Sequence, residues 1–169
     1  MSTATATTQR PTFRWQLATG TTGARVELCA DRACATVSSV IDQSSGTSVN
    51  LFAVWGSDDR HVWASGQNGT IRFFDGTRWS PQSTGTLQYL NGLCDNSASD
   101  VWAVGSNGTI LHYNGTAWSS VASPTWAELF GIWCYSATNV WAVGEDGAIV
   151  HWDGSSWQAV PSGTPERLL

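Results

Sequence analysis

Charged residues are scarce in this sequence, and basic residues are especially few. Asp, Glu, Lys and Arg make up 12% of the 169 residues, and the eight Lys and Arg are outnumbered by thirteen Asp and Glu, for a net charge of −5. Nucleic-acid binding depends on Lys and Arg clustered on one surface, whereas the eight here are scattered along the chain. We therefore expect no nucleic-acid partner.

The chain also lacks a long apolar run and any stretch with a helical period. Residues 1–11, MSTATATTQRP, contain no apolar segment, so the sequence as given shows neither a signal peptide nor a membrane span. We expect these residues to form a disordered tail. The protein is either cytosolic or its export segment is missing.

What the sequence does contain is a tandem repeat. The segment DVWAVGSNGTILHYNGTAW at 100–118 has counterparts at 61–79 and 139–157, so the period is 39 residues and the units are 51–89, 90–128 and 129–167. A fixed period of this size is typical of repeat architectures. The function must therefore be sought in the repeat.

Each unit contains four strand-like runs separated by turn dipeptides. In the third unit the runs are LFGIW (129–133), VWAVG (140–144), AIVHW (148–152) and a run that begins at Trp157, and β-branched and aromatic residues dominate them. Asn-Gly or Asp-Gly stands between the second and third runs and again between the third and fourth, and these dipeptides favour type I′ hairpin turns. Each unit is therefore predicted to be a four-stranded antiparallel meander.

A four-stranded unit of about 40 residues with aromatic residues at fixed repeat positions is typical of a β-propeller blade. A parallel β-helix is the competing architecture, but its coils are shorter and lack two hairpins per unit. We predict an all-β fold, a β-propeller arc of three four-stranded antiparallel blades preceded by a short β-hairpin segment.

The repeat resembles those of known propeller families. D-G-x-x-W after a T-I-x-x-x strand resembles a shortened Asp-box, and V-W-A-V-G-x-x-G-x-I-x-x-x-D-G is similar to the repeats of tectonin-type and of photosystem assembly-factor-type propellers. The tectonin resemblance implies a glycan-binding lectin, and the assembly-factor resemblance implies a protein-interaction scaffold. We favour a non-enzymatic interaction module of unknown ligand and keep the lectin as the alternative.

The N-terminal part follows a different pattern. TFRWQL (12–17) and ARVEL (24–28) alternate polar and apolar residues, as half-buried strands do. Residues 12–41 resemble the opening strands of a fibronectin type III-like domain of large bacterial surface proteins, which implies a cell-surface or secreted location. Residues 42–50, rich in Ser, form a linker. Cys29 and Cys34 flank a hairpin-like turn and form either a disulfide or two free thiols, since their spacing does not suit a metal site.

Enzymatic chemistry is not expected. No departure from the repeat gathers a nucleophile, a base or metal ligands, so we expect no catalytic residue, no metal and no cofactor. His112 and His151 share a strand position with Phe73, which favours packed imidazoles over ligands. The Asx residues of the second turn are expected to bond their own backbone and stabilise the turn.

Eight of the eleven Trp residues fall at three repeat positions and are predicted to pack between blades. They include a triplet on the second strand, Trp63, Trp102 and Trp141, and a triplet on the fourth strand, Trp79, Trp118 and Trp157. We expect the second-strand triplet to be buried and structural.

Ligand recognition is expected on the joins between blades, at 83–89 and 122–128, because long connections carry recognition in propellers. The candidate ligand-binding residues there are Tyr89, Gln88, Trp126 and Glu128. An exposed Trp126 beside the Glu128 carboxylate would suit a sugar ring, which stacks on an aromatic face and hydrogen-bonds through its hydroxyls. We favour the alternative that Trp126, like Tyr89 and Leu87, tucks under its own loop.

Three blades form an arc rather than a ring, so the outer faces of the first and third blades are expected to expose apolar sheet surface. Either a second copy of the chain or the N-terminal strands would cover these faces. We favour self-association that completes the ring, as a homodimer or larger oligomer.

Cys94 and Cys134 lie one repeat position apart on consecutive first strands, so their side chains leave the two sheets on opposite faces. Both side chains therefore point into the space between the second and third blades, or both point away from it. Because packed sheets stack about 10 Å apart, we expect two thiols rather than a disulfide.

Overall fold

The computed structural model describes residues 44–169 in full and, before them, the backbone of three strands at 12–17, 24–29 and 37–40. The chain divides into two compact units, at residues 1–45 and 46–169, and the division falls inside the stretch predicted as a linker. The first unit contains an antiparallel sheet in the order β1-β2-β3, formed by β1 (Thr12–Leu17), β2 (Ala24–Cys29) and β3 (Val37–Val40).

The strands predicted at the start of the N-terminal segment are confirmed, and β3 extends the predicted hairpin to three strands. The predicted tail at 1–11 and Cys34 lie outside the described residues, so the predicted Cys29–Cys34 pairing stays a prediction.

The second unit consists of three four-stranded antiparallel sheets, and each sheet corresponds to one sequence repeat. In every sheet the strands lie in chain order, and β8 packs against both β4 and β12. Blade 1 contains β4 (Leu51–Gly56), β5 (Val62–Gly66), β6 (Ile71–Phe74) and β7 (Trp79–Gln82); blade 2 contains β8 (Leu90–Ser97), β9 (Asp100–Gly105), β10 (Ile110–Tyr113) and β11 (Trp118–Ser120); blade 3 contains β12 (Leu129–Ser136), β13 (Asn139–Gly144), β14 (Ile149–Trp152) and β15 (Trp157–Val160). The predicted arc of three blades is confirmed.

The hairpin between the second and third strands of each blade is the predicted type I′ turn. In blade 1 both central residues have positive φ, 56° at Asn68 and 65° at Gly69, and the Thr70 amide donates to the Gln67 carbonyl at 3.0 Å. The same two positions have positive φ in blades 2 and 3. Positive φ at both positions is what this turn requires, so the dipeptide determines the hairpin.

The hairpin between the third and fourth strands is not a type I′ turn, contrary to the prediction. Only its glycine has positive φ, for example 91° at Gly76. The Asp75 carboxylate instead accepts the amides of Thr77 and Arg78 at 2.8 and 2.9 Å. Asn114 and Asp153 accept the equivalent amides in blades 2 and 3. The expected bonding of the Asx side chain to its own backbone is confirmed, and positive φ is confined to the glycine.

Successive blades pack through an aromatic contact that is repeated at both inter-blade spaces. We call the side of a blade that is directed towards the next blade its forward face and the other side its backward face. Trp63 on the forward face of blade 1 lies 5.5 Å from Trp118 on blade 2, with ring planes at 85°. Trp102 on the forward face of blade 2 lies 5.4 Å from Trp157 on blade 3, with ring planes at 80°. Such edge-to-face pairs add to the stabilisation from burial.

The prediction that the second-strand triplet is buried is confirmed for two members and wrong for the third. Trp63 and Trp102 are 1% and 2% exposed, whereas Trp141 is only half-buried. Trp79 is likewise half-buried, in contrast to Trp118 and Trp157. The difference follows from position in the arc, because the buried members of both triplets lie between two blades.

The expectation of two free thiols at the centre of the arc is wrong. Cys94 and Cys134 both point into the space between blades 2 and 3 and form a disulfide, with their Cα atoms 5.7 Å apart. This separation is typical of a disulfide and much shorter than the spacing of stacked sheets. The blades therefore converge at their first strands, and the stacking distance does not apply there.

The two outer faces of the arc differ in the exposure of their apolar residues. On the forward face of blade 3, Trp133 and Tyr135 are 55% and 70% exposed. On the backward face of blade 1, Val62 and Ala64 are buried. Exposed apolar surface is therefore seen on the outer face of blade 3. No helix among the described residues is long and apolar enough to cross a membrane.

Candidate functional site

The joins and the bulge positions, whose residues differ between repeats, lie at one end of the three blades. At this end, which we call the entry end, the strands β4, β8 and β12 begin, the type I′ turns lie, and the joins run from one blade to the next. The join backbone is bound to the turn, because the Gly69 amide donates to the Gln88 carbonyl at 2.8 Å and the Gly108 amide donates to the Ala127 carbonyl at 3.0 Å. The joins are thereby held against their own blades.

The joins hold two large apolar side chains out towards solvent. Leu87 and Trp126, at equivalent positions of the first and second joins, are 81% and 86% exposed. The expectation that they tuck under their loops is wrong. In the first join the buried hydroxyl of Thr84 donates to the Gly69 carbonyl at 2.7 Å, so a small polar side chain fills the space beneath the join. The larger residue then points outward.

Each first strand begins with a β-bulge, and the bulged residue contacts the end of the following join. The bulged residues are Phe52, Asn91 and Phe130. A bulge leaves its extra residue out of the ladder and redirects the side chain. The bulge position therefore contacts the last residue of the following join in all three blades.

The three bulge–join pairs have three different chemistries. In blade 1 the ring centroids of Phe52 and Tyr89 lie 5.9 Å apart, with both residues more than 40% exposed. In blade 2 the Asn91 amide donates to the Glu128 carboxylate at 2.9 Å. In blade 3 the pair is Phe130 and Arg167, and the Arg167 guanidinium lies 3.9 Å from the centre of the Phe130 ring. The contact between the bulge and the join is therefore aromatic in blade 1, polar in blade 2 and cation–π in blade 3, although the backbone is the same in each.

Glu128 is occupied by structural contacts. Besides Asn91, its Oε1 atom accepts the Ser106 hydroxyl at 3.1 Å, and Asn91 also donates to the Leu129 carbonyl at 3.0 Å. No hydrogen bond among the described residues joins Glu128 to the Trp126 indole. The carboxylate therefore ties blade 2 to the start of blade 3.

The structure places all four sequence-predicted site residues at the entry end but does not bring them together into one cluster. Tyr89 pairs with Phe52, Glu128 pairs with Asn91, and Gln88 accepts the Asn107 side-chain amide at 3.0 Å. The bulged partners were missed by sequence reasoning. The one signal in the sequence was in the second unit, where the bulge position and the end of the join both become polar, as Asn91 and Glu128.

An open groove of about 460 Å³ lies beside the first join at the entry end. It is lined by the type I′ turn, by the end of β7 and by residues 83–87 of the join, and the lining also includes Thr47, Ile71 and Arg72. The groove adds a concave surface next to the exposed Leu87.

His112 and His151 are packed imidazoles, as predicted. His112 stacks on Trp102 with ring centroids 4.2 Å apart, and its Nε2 atom lies 2.7 Å from Asp100 Oδ1. His151 stacks on Trp141 at 4.1 Å and bonds Asn139 at 3.0 Å. The described residues contain no group of His, Cys, Asp and Glu that could hold a metal ion.

The opposite end of the blades carries the Asx turns, whose carboxylates are used locally. The Ser155 hydroxyl, together with the amides of Ser156 and Ser155, lowers the pKa of Asp153 to about 2. Donation by the amides of Arg78 and Thr77 lowers the pKa of Asp75 below its ordinary value. Hydrogen bonds to the charged form cause such shifts, so these acids stabilise turns.

Three consecutive four-stranded meanders whose first strands pack side by side define an arc of a β-propeller, with its variable residues gathered at one end. A comparison with solved structures finds the same fold in YCF48. The structure described as YCF48 bound to D1 peptide is 22% identical over 67% of this chain, with a TM-score of 0.58. YCF48 from Cyanidioschyzon merolae is 21% identical over 69% of the chain, with a TM-score of 0.57.

The chain spans 40% and 41% of the length of these two structures. No protein-family model matches the sequence, and no curated protein matches it. Likeness at this level of identity establishes the β-propeller-like fold.

Proposed function

We propose that this chain is a non-enzymatic β-propeller interaction module that binds a protein partner through the entry end. The observation that carries this proposal is the exposure of Leu87 and Trp126, 81% and 86%, on consecutive joins. Exposed apolar patches mark interaction sites, and Trp is enriched among residues that dominate binding energy. The half-exposed Phe52–Tyr89 pair extends this surface.

The structural neighbours support the protein-binding class. One YCF48 structure was determined with a D1 peptide bound, so a protein of this fold accommodates a polypeptide ligand. The particular peptide is a property of that protein. For this chain the proposal extends only to a polypeptide ligand with apolar side chains, which Leu87 and Trp126 would contact.

A displayed library of random linear peptides provides the test. Selected peptides are measured against the wild-type chain and against a Leu87→Ser, Trp126→Ser variant, and we expect a loss of at least about tenfold in affinity, as for removal of central apolar contacts. Tyr135→Ser is the matched control, because Tyr135 is 70% exposed but lies on the forward face of blade 3. Peptides that bind the double variant as tightly as the wild type would refute the entry end as the site.

Glycan binding is the second candidate, and the exposure of the Trp126 ring favours it. An indole that is 86% exposed can stack on a sugar ring, although Glu128 is already engaged by Asn91 and Ser106. A glycan array probed with the wild type and with Trp126→Ala separates the two candidates. Binding to no glycan removes the lectin, and binding that Trp126→Ala abolishes supports it.

Self-association stays a prediction. The exposed forward face of blade 3 favours it. Light scattering at micromolar concentration tests it, and a monodisperse monomer contradicts it.

A further inference from the structure

The three type I′ turns at the entry end differ in charge. The turns of blades 1 and 2 begin with the neutral pairs Gln67-Asn68 and Ser106-Asn107, whereas the turn of blade 3 begins with Glu145-Asp146. Both of these acidic side chains are exposed. The second residue of the three turns has nearly the same φ, 56°, 54° and 53° in chain order. The turn geometry therefore does not require the acidic pair in blade 3.

The acidic turn is fixed to the join that holds the exposed Trp126. The Glu145 amide donates to the carbonyl of Glu128, the last residue of this join, at 2.9 Å. The Glu128 carboxylate accepts the Asn91 amide and the Ser106 hydroxyl, and because both donors are neutral, its negative charge is not cancelled. Two acidic residues in backbone contact, Glu128 and Glu145, therefore lie at the end of the join.

Asp146 adds a third carboxylate beside the same join. At the preceding inter-blade space the equivalent contact joins Asn107 to Gln88, whose side chains are hydrogen-bonded at 3.0 Å. One repeat later these two positions are occupied by Asp146 and Ala127. Asp146 therefore lies beside the residue that follows Trp126 in the chain.

Basic side chains do little to balance these carboxylates. The sequence contains no Lys. Among the described residues at the entry end, the exposed basic residue is Arg167, whose guanidinium lies over the Phe130 ring. Arg72 lines the groove beside the first join and is only 9% exposed. The Trp126 indole therefore stands in a surface of net negative charge.

We infer that the polypeptide ligand of the entry end is basic, and that one of its Arg or Lys side chains lies on the Trp126 ring with the cationic group directed towards Glu145 and Asp146. The inference rests on the proposed function, because it names the chemistry of the ligand at that same surface. A cation over the face of an indole is attracted by the ring, and the methylene stem of Arg or Lys covers apolar surface while the charged end stays in water. An apolar side chain would cover the ring but would leave the neighbouring carboxylates without a partner.

The surroundings of the two exposed join residues also give the ligand a direction. The first join, with Leu87, ends at the neutral turn of blade 2, whereas the second join, with Trp126, ends at the acidic turn of blade 3. The ligand therefore places an apolar side chain at Leu87 and a cationic side chain at Trp126. Charge complementarity of this kind determines specificity and the rate of association.

The repeat itself supplies a conservative way to remove the charges. Glu145→Gln with Asp146→Asn gives blade 3 the turn sequence of blade 1, QNG at 67–69, which has the same signs of φ. We therefore expect this double variant to keep the melting temperature of the wild type. Asp59→Asn, compared with Asp146→Asn alone, is the control for a change in net charge. Asp59 is exposed on the loop between β4 and β5, at the opposite end of the blades.

The probe is the displayed library of random linear peptides, selected on the wild-type chain. Peptides whose binding is lost in the Leu87→Ser, Trp126→Ser variant are expected to be enriched in Arg and Lys over the unselected library. Their affinity is expected to fall roughly fivefold in the Glu145→Gln, Asp146→Asn variant, because one exposed ion pair contributes a factor of about 1.4 to about 5. Asp59→Asn is expected to leave the affinity unchanged. Salt at about 1 M, where the screening length is about 3 Å, is expected to remove the difference between wild type and double variant.

The outcomes separate the ligand's charge from the location of its site. Selected peptides that require Leu87 and Trp126 but are neutral or acidic overturn the inference and leave the proposed function intact. Peptides that bind the Leu87→Ser, Trp126→Ser variant as tightly as the wild type refute the site and the inference together. Equal affinity for the wild type and the Glu145→Gln, Asp146→Asn variant overturns the inference, and so does an equal loss in Asp59→Asn and Asp146→Asn. Capture of a glycan through Trp126, with no peptide selected, also overturns it.

Discussion

Replacement of Trp102 by Ala tests whether the blades are held together by the aromatic contacts between them. Trp102 is 2% exposed and packs against His112, Trp152 and Trp157 at centroid distances of 4.2, 5.1 and 5.4 Å. Truncation removes the buried indole and leaves a cavity between blades 2 and 3. Such substitutions cost about 3–5 kcal/mol, a large share of the roughly 5–15 kcal/mol by which a domain is stable.

Trp141→Ala is the matched comparison, because Trp141 is the same residue at the same repeat position. It stacks on His151 as Trp102 stacks on His112, but it is half-buried on an open face. Its truncation creates no enclosed cavity, so we expect a cost of about 1 kcal/mol, near the centre of the distribution for point mutants. The difference of about 2–4 kcal/mol isolates the contribution of the facing blade.

Urea unfolding followed by Trp fluorescence and circular dichroism measures the difference, with the disulfide kept intact in every variant. An unchanged slope with a lower midpoint shows that stability changed without a change in the surface exposed on unfolding. In thermal unfolding, each kcal/mol corresponds to roughly 2–4 °C for a chain of this size. A cost for Trp102→Ala no greater than that for Trp141→Ala would show that the inter-blade contact does not stabilise the arc.

Three further predictions concern the disulfide and the turns. Cys94 and Cys134 are expected to react as thiols in denaturant only after reduction, and Cys94→Ser with Cys134→Ser is expected to lower stability by about 4 kcal/mol, the chain-entropy value for a loop of this length; a peptide map that finds Cys94 and Cys134 labelled as thiols without reductant would contradict this. The pKa of Asp153 is lowered to about 2 from an ordinary 3.8, so its contribution is present above the unfolded-state pKa and is lost as pH falls through the folded one. Asp153→Ala should remove that acid sensitivity, whereas unchanged acid unfolding would refute the role. Gly108→Ala should destabilise the protein by more than about 1 kcal/mol, because φ is +64° and the added Cβ meets the Thr125 carbonyl. Gly85→Ala, with φ of +71° and no atom within 4 Å, is the control and should cost less.

The local architecture could be read from the sequence because it is encoded in short segments. The 39-residue period, the β-branched and aromatic runs and the Asn-Gly dipeptide each act within one hairpin. A type I′ turn needs positive φ at two adjacent residues, and this dipeptide supplies it without help from the rest of the fold. The second turn was assigned wrongly because Asp-Gly also suits an Asx turn. Which turn forms depends on whether the side chain accepts the following amides, as Asp75 does.

The sequence by itself determined the repeat, the four-stranded meander and the packed role of His112 and His151, because these follow from local periodicity and turn chemistry. Only the tertiary structure decided which members of an identical set are buried. Trp102 and Trp141 occupy the same position in the repeat, yet a blade covers one and not the other. The Cys94–Cys134 bond and the exposure of Trp126 were decided in the same way. Burial and approach distance depend on how whole sheets converge, and residues far apart in the chain determine that convergence.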